Sequence, residues 1–513
     1  MENNLQKIKT LKQLAKITGK LKQTGKKIVH CHGVFDLLHP GHIYHFRSAK
    51  KYGEILVITI TADKFVKKGP GRPAFNEDLR AEVLAALEIV DYVAIVNSDS
   101  AISAIDKIKP NYYVKGPDYK NRKINPNLPR KLGSEQSAVE KYGGKLIFSD
   151  DEIIFSSSHL LNEHFDAYPE STKKYLQSLR KTYTSDQIID QLLMLKDKKI
   201  LVIGDTIIDE YQYTRPLGKS SKEPVLVHIF KEGEMFAGGS LATANNIAAL
   251  SNAVSLLTIL GSKRSFESFI RSRLRPQITP KFFYENGQTP TIVDRRYLDQ
   301  YTQQKLFQVR YMSDEIISTA VETKILTYLK NELPRHDAVV VNDFGHGLLT
   351  PKIIRLICRQ ARFLALNVQA NSANFGFNVL TKYPRADIVC TDVQELQLAT
   401  HDKFSDIEKL AKTIARKLKC SELIVTRGPY GALSISKKIG VYHCPALSTR
   451  IVDRVGAGDA FFAIASAAAA GDMDPQLVSF LGNVAGALKL QTVANKTPID
   501  FKEMTKFITR LLK

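Results

Sequence analysis

The ten residues GVFDLLHPGH, at positions 33–42, place two histidines three residues apart beside a glycine-containing turn. They directly follow the apolar run IVHC (28–31), which is typical of a short buried strand. Gly33 lets the backbone approach a ligand closely, and a helix that begins near His39 would point its positive end at the turn. Two imidazoles there, from His39 and His42, can hydrogen-bond phosphate oxygens and stabilise charge that develops on phosphorus. The pattern therefore indicates nucleotide phosphate chemistry.

A second glycine-rich string, VGAGDAFF at 455–462, precedes an alanine-rich stretch that reads as a buried helix. Gly456, Ala457 and Gly458 can present backbone N–H groups at the helix start and form an anion hole for a phosphoryl group in transfer. Asp459, just inside, is placed to take the proton of an attacking hydroxyl. A tight helix N-terminus capped by an aspartate would show the same residues.

Both strings depend on strands and helices that alternate along the chain, which predicts parallel α/β sheets. Apolar strand patterns such as EILVITIT and VDYVAIV alternate with helical ones until the pattern fades near residue 162. A new strand opens at residue 199 with KILVIGDTIID, and a longer alternating pattern follows it. The sequence predicts two α/β domains, at 1–165 and 198–513, joined by a polar, lysine-rich helical linker at 166–197.

Composition limits the compartment and the partners. The chain of 513 residues has 73 Lys and Arg against 52 Asp and Glu, a formal charge of +21 that favours anionic partners. Five cysteines without a CxxC pair indicate neither a disulfide framework nor a zinc site. The longest apolar run, 460–470, is far shorter than the ~20 residues needed to span a bilayer. We expect a cytoplasmic globular protein that neither crosses a membrane nor binds nucleic acid.

Residues about 10–162 resemble the cytidylyltransferase-like nucleotidyltransferases, through GKKIVHCHGVFDLLHPGH, RPAFNEDLRAEVLAALEIVDYV and PNYYVKGPDY. The resemblance implies that His39 and His42 bind a nucleoside triphosphate and stabilise the transition state. It also implies phosphate contacts from a serine-rich signature at a helix start, which is shortened here to FSSSHL. The nucleotide-binding residues expected on this basis are Gly33, Phe35, Lys64, Arg80, Ser156, Ser157 and Ser158.

Residues about 198–511 resemble the ribokinase-like carbohydrate kinases, through VIGDTIIDEY, AGGSLATANNIAAL, VNDFGHGLL, IVTRGPYGAL and IVDRVGAGDAFF. The resemblance implies that Asp459 is the general base, and that strands near EPVLVHIF and TIVDRRYLD form a small β lid through which the chain forms a homodimer. Asp392 and Glu395, in DVQE, stand where the family holds Mg²⁺. The remaining expected residues are Asp209, Gly238 and Gly239 at the sugar, and Thr426, Arg427, Gly428, Gly456, Ala457, Gly458 and Asn483 at the nucleotide.

The departures from the kinase pattern cluster on the sugar side. Ala242 replaces an asparagine, Asp294 replaces a lysine, and Asn367-Val368-Gln369 replaces Asp-Pro-Lys; Arg454 stands where threonine is typical. The catalytic string itself is intact. We therefore expect a working phosphoryl-transfer centre with an altered acceptor pocket. Asp294, a negative charge in place of a positive one, favours an acceptor that is less anionic at that end or is bound through other groups. A degenerate kinase half is the alternative.

Together the halves resemble the bifunctional ADP-heptose synthases, with the order of the two halves reversed. This predicts an enzyme that uses ATP and Mg²⁺ to phosphorylate a sugar or sugar phosphate and that couples a heptose-like sugar phosphate to a nucleotide. CTP is also possible for the N-terminal domain. One alternative is a polyol- or alcohol-phosphate cytidylyltransferase with a divergent or inactive kinase half. Another is a basic nucleic-acid-binding or regulatory protein, against which stands the absence of an RNP string, zinc-finger spacing or basic zipper.

Overall fold

The computed structural model describes residues 5–66, 73–116, 128–149, 168–448 and 451–512. The chain divides into two compact units between residues 169 and 170. Among the described helices, none has both the length and the apolar composition required to cross a lipid bilayer.

The first unit is built on a five-stranded parallel sheet with the strand order β3-β2-β1-β4-β5. All seven residues of β2 are buried, as expected of an inner strand covered on both faces. The strands are β1 (Ile28–Gly33), β2 (Ile55–Thr61), β3 (Tyr92–Val96), β4 (Tyr112–Lys115) and β5 (Lys145–Phe148). The helices are α1 (Leu11–Gln23), α2 (Pro40–Lys50), α3 (Glu77–Ala85), α4 (Ile102–Ile108) and α5 (Leu128–Glu140).

The second unit contains eleven described helices and two sheets. The helices are α6 (Glu170–Thr182), α7 (Ser185–Leu193), α8 (Ser240–Ile247), α9 (Glu267–Arg273), α10 (Thr319–Glu332), α11 (Pro351–Gln360), α12 (Val393–Thr400), α13 (Ile407–Lys417), α14 (Ala457–Ala470), α15 (Pro475–Lys489) and α16 (Phe501–Leu511). The strands are β6 (Lys199–Gly204), β7 (Thr206–Lys219), β8 (Leu226–Gly239), β9 (Ala253–Lys263), β10 (Ile278–Pro290), β11 (Ile292–Asp299), β12 (Lys305–Tyr311), β13 (Ala338–Asp343), β14 (Leu364–Val368), β15 (Ile388–Asp392), β16 (Glu422–Thr426), β17 (Ala432–Ser436) and β18 (Gly440–Cys444).

The larger sheet has nine strands in the order β10-β9-β6-β13-β14-β15-β16-β17-β18, and only the last two run antiparallel to their neighbours. Every residue of β13 and β14 is buried. The carboxyl ends of the parallel strands lie at one edge, where open α/β sheets bind ligands. A separate four-stranded sheet, β12-β11-β7-β8, forms the lid expected from the sequence.

The segment expected to link the domains is helical, but its helices α6 and α7 are part of the second unit. Arg180 donates its Nη2–H to the carbonyl oxygen of Leu511 over 3.0 Å. Ile188 and Leu192 are fully buried. The helical spacing that suggested a solvated linker therefore marks an apolar face packed against the kinase-like unit, and the boundary lies near residue 169 rather than at 198.

We expect that fragment 170–513 will melt cooperatively and that fragment 198–513 will melt more than about 5 °C lower, because the shorter piece loses the buried face of α6 and α7. Differential scanning calorimetry of the two fragments measures the difference. Fragment 1–169 provides the matched test of the first unit, which should show its own single transition. Equal melting temperatures for 170–513 and 198–513 would show that the two helices are only a tether.

Candidate active sites

His39 and His42 lie side by side where β1 leads into α2. His39 is the residue before the helix and His42 lies in its first turn, with ring centroids 3.9 Å apart and planes inclined by 34°. The His42 backbone N–H donates to the His39 carbonyl oxygen over 2.9 Å. The two imidazoles therefore lie side by side at a helix N-terminus, where a bound anion is favoured.

Phe35 supports this turn by packing against His42. Its backbone has a φ of 47°, in the left-handed region, and its buried ring contacts His42 edge-on at 5.2 Å between centroids. A Cβ at Gly33 would come within 3.0 Å of the Phe35 ring. A side chain at 33 would therefore press on the phenyl ring that contacts the histidine. A direct contact between Phe35 and the nucleotide stays a prediction.

Arg80 is buried, with 2% of its surface exposed, and its guanidinium donates hydrogen bonds to neighbouring loops. Its Nη1 donates to the carbonyl oxygen of Val34, and its Nη2 donates to the carbonyl oxygen of Thr61 over 2.9 Å. Nη2 also pairs with the Asp63 carboxylate at 2.6 Å. These bonds fix the loops that follow β1 and β2, so Arg80 is placed to position the site, and the expected phosphate contact stays a prediction.

The remaining residues expected in this unit are less defined. Lys64 is exposed in a single helical turn, with its Nζ 5.2 Å from the centroid of the Phe65 ring. Ser156, Ser157 and Ser158 lie outside the described residues. Sequence reasoning missed His32, which precedes Gly33 and has ring nitrogens 2.8 Å from Thr59 Oγ1 and 3.3 Å from Thr61 Oγ1. A polar residue at the carboxyl end of an otherwise apolar strand was the available signal.

In the second unit, Asp459 lies in the first turn of α14 with 9% of its surface exposed. Burial raises the pKa of its carboxyl, and hydrogen bonds from Asn342 and Gln369 oppose that rise. Asn342 Nδ2 donates to Asp459 Oδ1 over 3.2 Å, and Gln369 Nε2 donates to the same oxygen over 2.9 Å. The carboxylate is therefore fixed in orientation and retains a raised proton affinity, as a general base requires.

The turn before Asp459 is where the sequence predicts an anion hole. Gly456 precedes the helix with a φ of 82°, and a Cβ there would come within 2.3 Å of Asn495 Oδ1. Ala457 and Gly458 occupy the first helical turn, whose N–H groups have no partner within the helix. The Ala457 N–H lies 3.4 Å from the carbonyl oxygen of Arg454 in the turn before it. This arrangement places backbone donors beside the candidate base.

Lys489 is a candidate functional residue that sequence reasoning missed. It is 2% exposed, its Nζ donates to the carbonyl oxygen of Thr497 over 2.9 Å, and its Cε would lie 3.1 Å from a Cβ at Gly456. Burial lowers its pKa to about 8, although Asp459 and Asp209 oppose that shift. A positive charge thus lies beside the glycine turn. The signal was a lysine that ends the apolar helix PQLVSFLGNVAGALK.

Asp209 lies on the lid strand β7 and faces the same region. A Cβ at Gly238 would come within 2.3 Å of Asp209 Oδ2, so glycine is required for this close approach. Gly239 has a φ of 58° and starts α8. Burial raises the pKa of Asp209, and the hydrogen-bonded guanidinium of Arg296 opposes the rise. The three residues expected at the sugar are therefore adjacent.

Asp294 is surrounded by arginines, and its preference for a less anionic acceptor stays a prediction. Arg310 donates from Nε and Nη2 to its two carboxylate oxygens, at 2.5 and 2.9 Å, and Arg296 Nη2 lies 3.3 Å from Oδ2. Because Asp209 also binds Arg296, two carboxylates and two guanidiniums neutralise each other. Asp294 therefore organises arginines on the lid instead of presenting an isolated negative charge. The signal was an aspartate and an arginine two residues apart, on one face of a strand.

Asp392 and Glu395 are brought together at the start of α12, where they form a capping box. Asp392 Oδ1 accepts the Glu395 N–H over 2.8 Å, and Glu395 Oε2 accepts the Asp392 N–H over 3.0 Å. Burial and then the charge of Asp392 raise the pKa of Glu395 to about 7. Two neighbouring carboxylates suit a hard cation, and Mg²⁺ typically takes only one or two carboxylates plus phosphate and water. The described residues contain no group of three or more His, Cys, Asp or Glu able to hold a metal.

Three of the residues expected at the nucleotide, Thr426, Arg427 and Gly428, lie at the carboxyl end of β16. Thr426 pairs in register with Asp392, and its Oγ1 donates to the Thr391 carbonyl oxygen over 3.3 Å. Arg427 and Gly428 continue into a short helical turn. Asn483 on α15 donates to the Ser479 carbonyl oxygen over 3.1 Å. These positions are compatible with a nucleotide cleft at the sheet edge, and their contacts with a nucleotide stay predictions.

A lidded nine-stranded sheet with an aspartate behind a glycine turn is the arrangement that the sequence predicted for a carbohydrate kinase, preceded in this chain by a nucleotidyltransferase-like unit. The match to "pfkB family carbohydrate kinase" covers residues 197–501, more than half of the chain, so the chain belongs to the pfkB family. Residues 30–163 match "Cytidylyltransferase-like". Both resemblances inferred from the sequence are confirmed, as is the mixed α/β fold of two units.

Individual relatives agree with this composite architecture. "Bifunctional protein HldE" of Aliarcobacter butzleri is 43% identical over 145 residues, which are 28% of this chain and 30% of that protein. The protein of the same name from Citrifermentans bemidjiense is 26% identical over 302 residues, 58% of this chain and 61% of that protein. Each alignment thus spans less than two thirds of the relative. Phosphofructokinase-2 from Escherichia coli, solved with substrates and products, shares the fold with a TM-score of 0.50 and 14% identity, covering 62% of this chain and 100% of that one.

We expect Asp294→Lys to lower the free energy of unfolding of the second unit by about 3 kcal/mol. The variant leaves Arg310 without its buried carboxylate, removes one of the two carboxylates that pair with Arg296, and adds a third cation. Urea unfolding of fragment 170–513 measures the change. Asp294→Asn is the matched control that keeps the size of the side chain and should cost less. A lysine variant as stable as the wild type would show that the arginines have other anionic partners.

Proposed function

We propose that the second unit transfers the γ-phosphoryl group of ATP to a hydroxyl of a sugar or sugar phosphate. The observation that carries this proposal is the buried Asp459 carboxylate, oriented by two amides at the glycine turn that starts α14. A general base beside backbone donors is the arrangement that phosphoryl transfer to a hydroxyl needs.

In this reaction Asp459 accepts the proton of the acceptor hydroxyl while the hydroxyl oxygen bonds to the γ-phosphorus. The bond from the γ-phosphorus to the bridging oxygen breaks, and ADP leaves with that electron pair. The N–H groups of Ala457 and Gly458 stabilise the equatorial oxygens of the group in transfer. Lys489 adds positive charge behind this turn, and Asp209 and the glycines beside it hold the sugar.

Asp392 and Glu395 are the residues that would hold Mg²⁺. When bound, the cation neutralises charge on the ATP phosphates. The Glu395 carboxylate also accepts the Ala370 N–H over 3.2 Å, so the carboxylates at the start of α12 connect to the segment that carries Gln369.

For the first unit we propose nucleotidyl transfer to a sugar phosphate. A phosphate oxygen of the sugar phosphate attacks the α-phosphorus of ATP, or of CTP, and pyrophosphate leaves with the electron pair of the broken bond. His39 and His42 donate hydrogen bonds to the phosphate oxygens as charge develops. A heptose-like sugar phosphate is the acceptor that the relationship to the HldE proteins favours.

The two activities should be lost independently. We expect His39→Ala to reduce pyrophosphate release about 10²–10³-fold while ADP formation is retained, and Asp459→Asn to reduce ADP formation about 10²–10⁴-fold while pyrophosphate release is retained. Coupled assays for pyrophosphate and for ADP, run with a panel of sugars and sugar phosphates, separate the two.

His42→Ala should reduce pyrophosphate release as His39→Ala does, because the two rings lie side by side at the same helix N-terminus. The assignment of the second unit fails if Asp459→Asn keeps full ADP formation with every acceptor. The assignment of the first unit fails if both histidine variants release pyrophosphate at the rate of the wild type.

We also propose that two copies of the chain associate through the lid. The lid strands expose ten large apolar side chains, and a patch of such residues is typical of a surface that meets a partner. The most exposed are Leu217, Leu226, Phe230 and Phe307, at 57–69%. A second copy offers the same apolar surface and would cover it symmetrically.

We expect the wild type to sediment at twice its mass of 57.4 kDa and Phe230→Glu to sediment as a monomer, because the variant places a charge in the apolar lid contact. Phe404→Glu is the matched control, since Phe404 is 95% exposed but lies outside the lid. Sedimentation velocity distinguishes the species. A Phe230→Glu variant that remains dimeric would contradict an interface on β8.

A further inference from the structure

We propose that Gln369 is a positioning residue that holds Oδ1 of Asp459 and thereby assigns the role of base to Oδ2. The proposal rests on the kinase activity proposed above for the second unit. Gln369 directly follows β14. It is the last residue of Asn367-Val368-Gln369, which stands where the kinase pattern has Asp-Pro-Lys. The sequence alone showed this replacement and predicted no role for Gln369.

The donors to Asp459 are one-sided. Asn342 Nδ2 and Gln369 Nε2 both bond to Oδ1, and no other hydrogen bond to this carboxylate is found in the described parts of the chain. Rotation of the carboxylate by half a turn would exchange its oxygens, but smaller rotations would break both bonds. Oδ2 therefore keeps its lone pairs for the acceptor hydroxyl while the plane of the carboxylate stays fixed.

The Gln369 amide is itself locked in one orientation. Its Nε2 also donates to Asn367 Oδ1 over 2.9 Å, and Asn367 Nδ2 donates in turn to the Cys390 carbonyl oxygen over 2.9 Å. An amide nitrogen has two N–H groups, and both are thus directed to oxygen acceptors. Because the Asn367 amide is oriented by a backbone carbonyl, the orientation of Gln369 follows from the strand next to it.

The backbone of Gln369 is held equally firmly. Its N–H donates to the carbonyl oxygen of Asp343 over 2.8 Å, and its carbonyl oxygen accepts from Asn378 Nδ2 over 3.0 Å. The side chain therefore reaches Asp459 from a backbone that is fixed between β13 and the loop after β14. This connection transmits the geometry of the sheet edge to the carboxylate.

A neutral donor at this position has a specific electrostatic consequence. The charged groups that face Asp459 are Asp209, which disfavours its ionised form, and Lys489, which favours it. Gln369 adds a hydrogen bond without adding a charge. It therefore orients the carboxylate and lowers the pKa of Asp459 less than a cationic donor would. A lysine at 369 would supply both a donor and a positive charge, and would lower the proton affinity of the base.

The test is the pH dependence of kcat/KM for the acceptor in the full-length protein. Asp459 acts in its ionised form, so activity falls as the pH drops through its pKa. Gln369→Met removes a hydrogen bond to the ionised form, which raises that pKa and moves the acid limb upward by about one pH unit. We expect kcat to fall about 10-fold with the KM for ATP changed less than about 2-fold.

Gln369→Lys gives the opposite expectation, an acid limb displaced to lower pH, and remains informative if the methionine variant does not fold. Gln360→Met is the matched control, because Gln360 ends α11 before β14 begins, at the strand edge opposite the site. Its acid limb should coincide with that of the wild type.

Acid limbs that stay at the wild-type pH in both Gln369 variants would overturn the proposal, as would displacements in the same direction. A wild-type protein that forms no acceptor-dependent ADP would instead overturn the kinase function, and the role of Gln369 would fall with it. The two failures are distinguished by the wild-type assay alone.

Discussion

A carboxylate that is removed from water at the start of a helix needs hydrogen-bond donors, since an uncompensated buried charge is too costly to keep. Asp459 is such a carboxylate, and its compensation connects distant parts of the second unit. Asn342 is the penultimate residue of β13, Gln369 follows the next strand, and the glycine turn contributes its helix N-terminus. The sheet has to place these three elements at one edge for the carboxylate to be tolerated at all. The chemistry we assign to the site uses the same contacts that make burial possible.

The lid obeys the same constraint through ion pairs. Asp209 and Asp294 are paired in register on adjacent strands, and both are almost fully buried. Two carboxylates on neighbouring strands would repel each other without Arg296 and Arg310, which are held between and beside them. The replacement of the family lysine at 294 therefore reverses one charge while the arginines restore local neutrality.

The first unit places its chemistry by packing instead. The ring of Phe35 occupies the space that a side chain at Gly33 would need, and it supports His42. Arg80 joins the loops after two strands by donating to their carbonyl oxygens. The loops around the histidine pair are therefore held by Phe35 and Arg80, whose own contacts with a nucleotide stay predictions.

Local patterns were enough to predict the two α/β units, the strand-turn-helix around His39 and His42, and the glycine turn before Asp459. Each is a short contiguous string whose residue types are needed for its backbone or its charge. The partners of those residues could not be predicted in the same way. Gln369 lies 90 residues from Asp459, Arg310 lies 16 residues from Asp294, and α6 belongs to the second unit through Leu511, 331 residues beyond Arg180. Such contacts depend on strand order and on which face a helix buries, and a linear pattern does not encode these. The sequence by itself thus determined which groups can do chemistry, and the tertiary structure decided which of them orient, neutralise or support the others, because orientation and charge compensation arise only when separate strands meet at one edge.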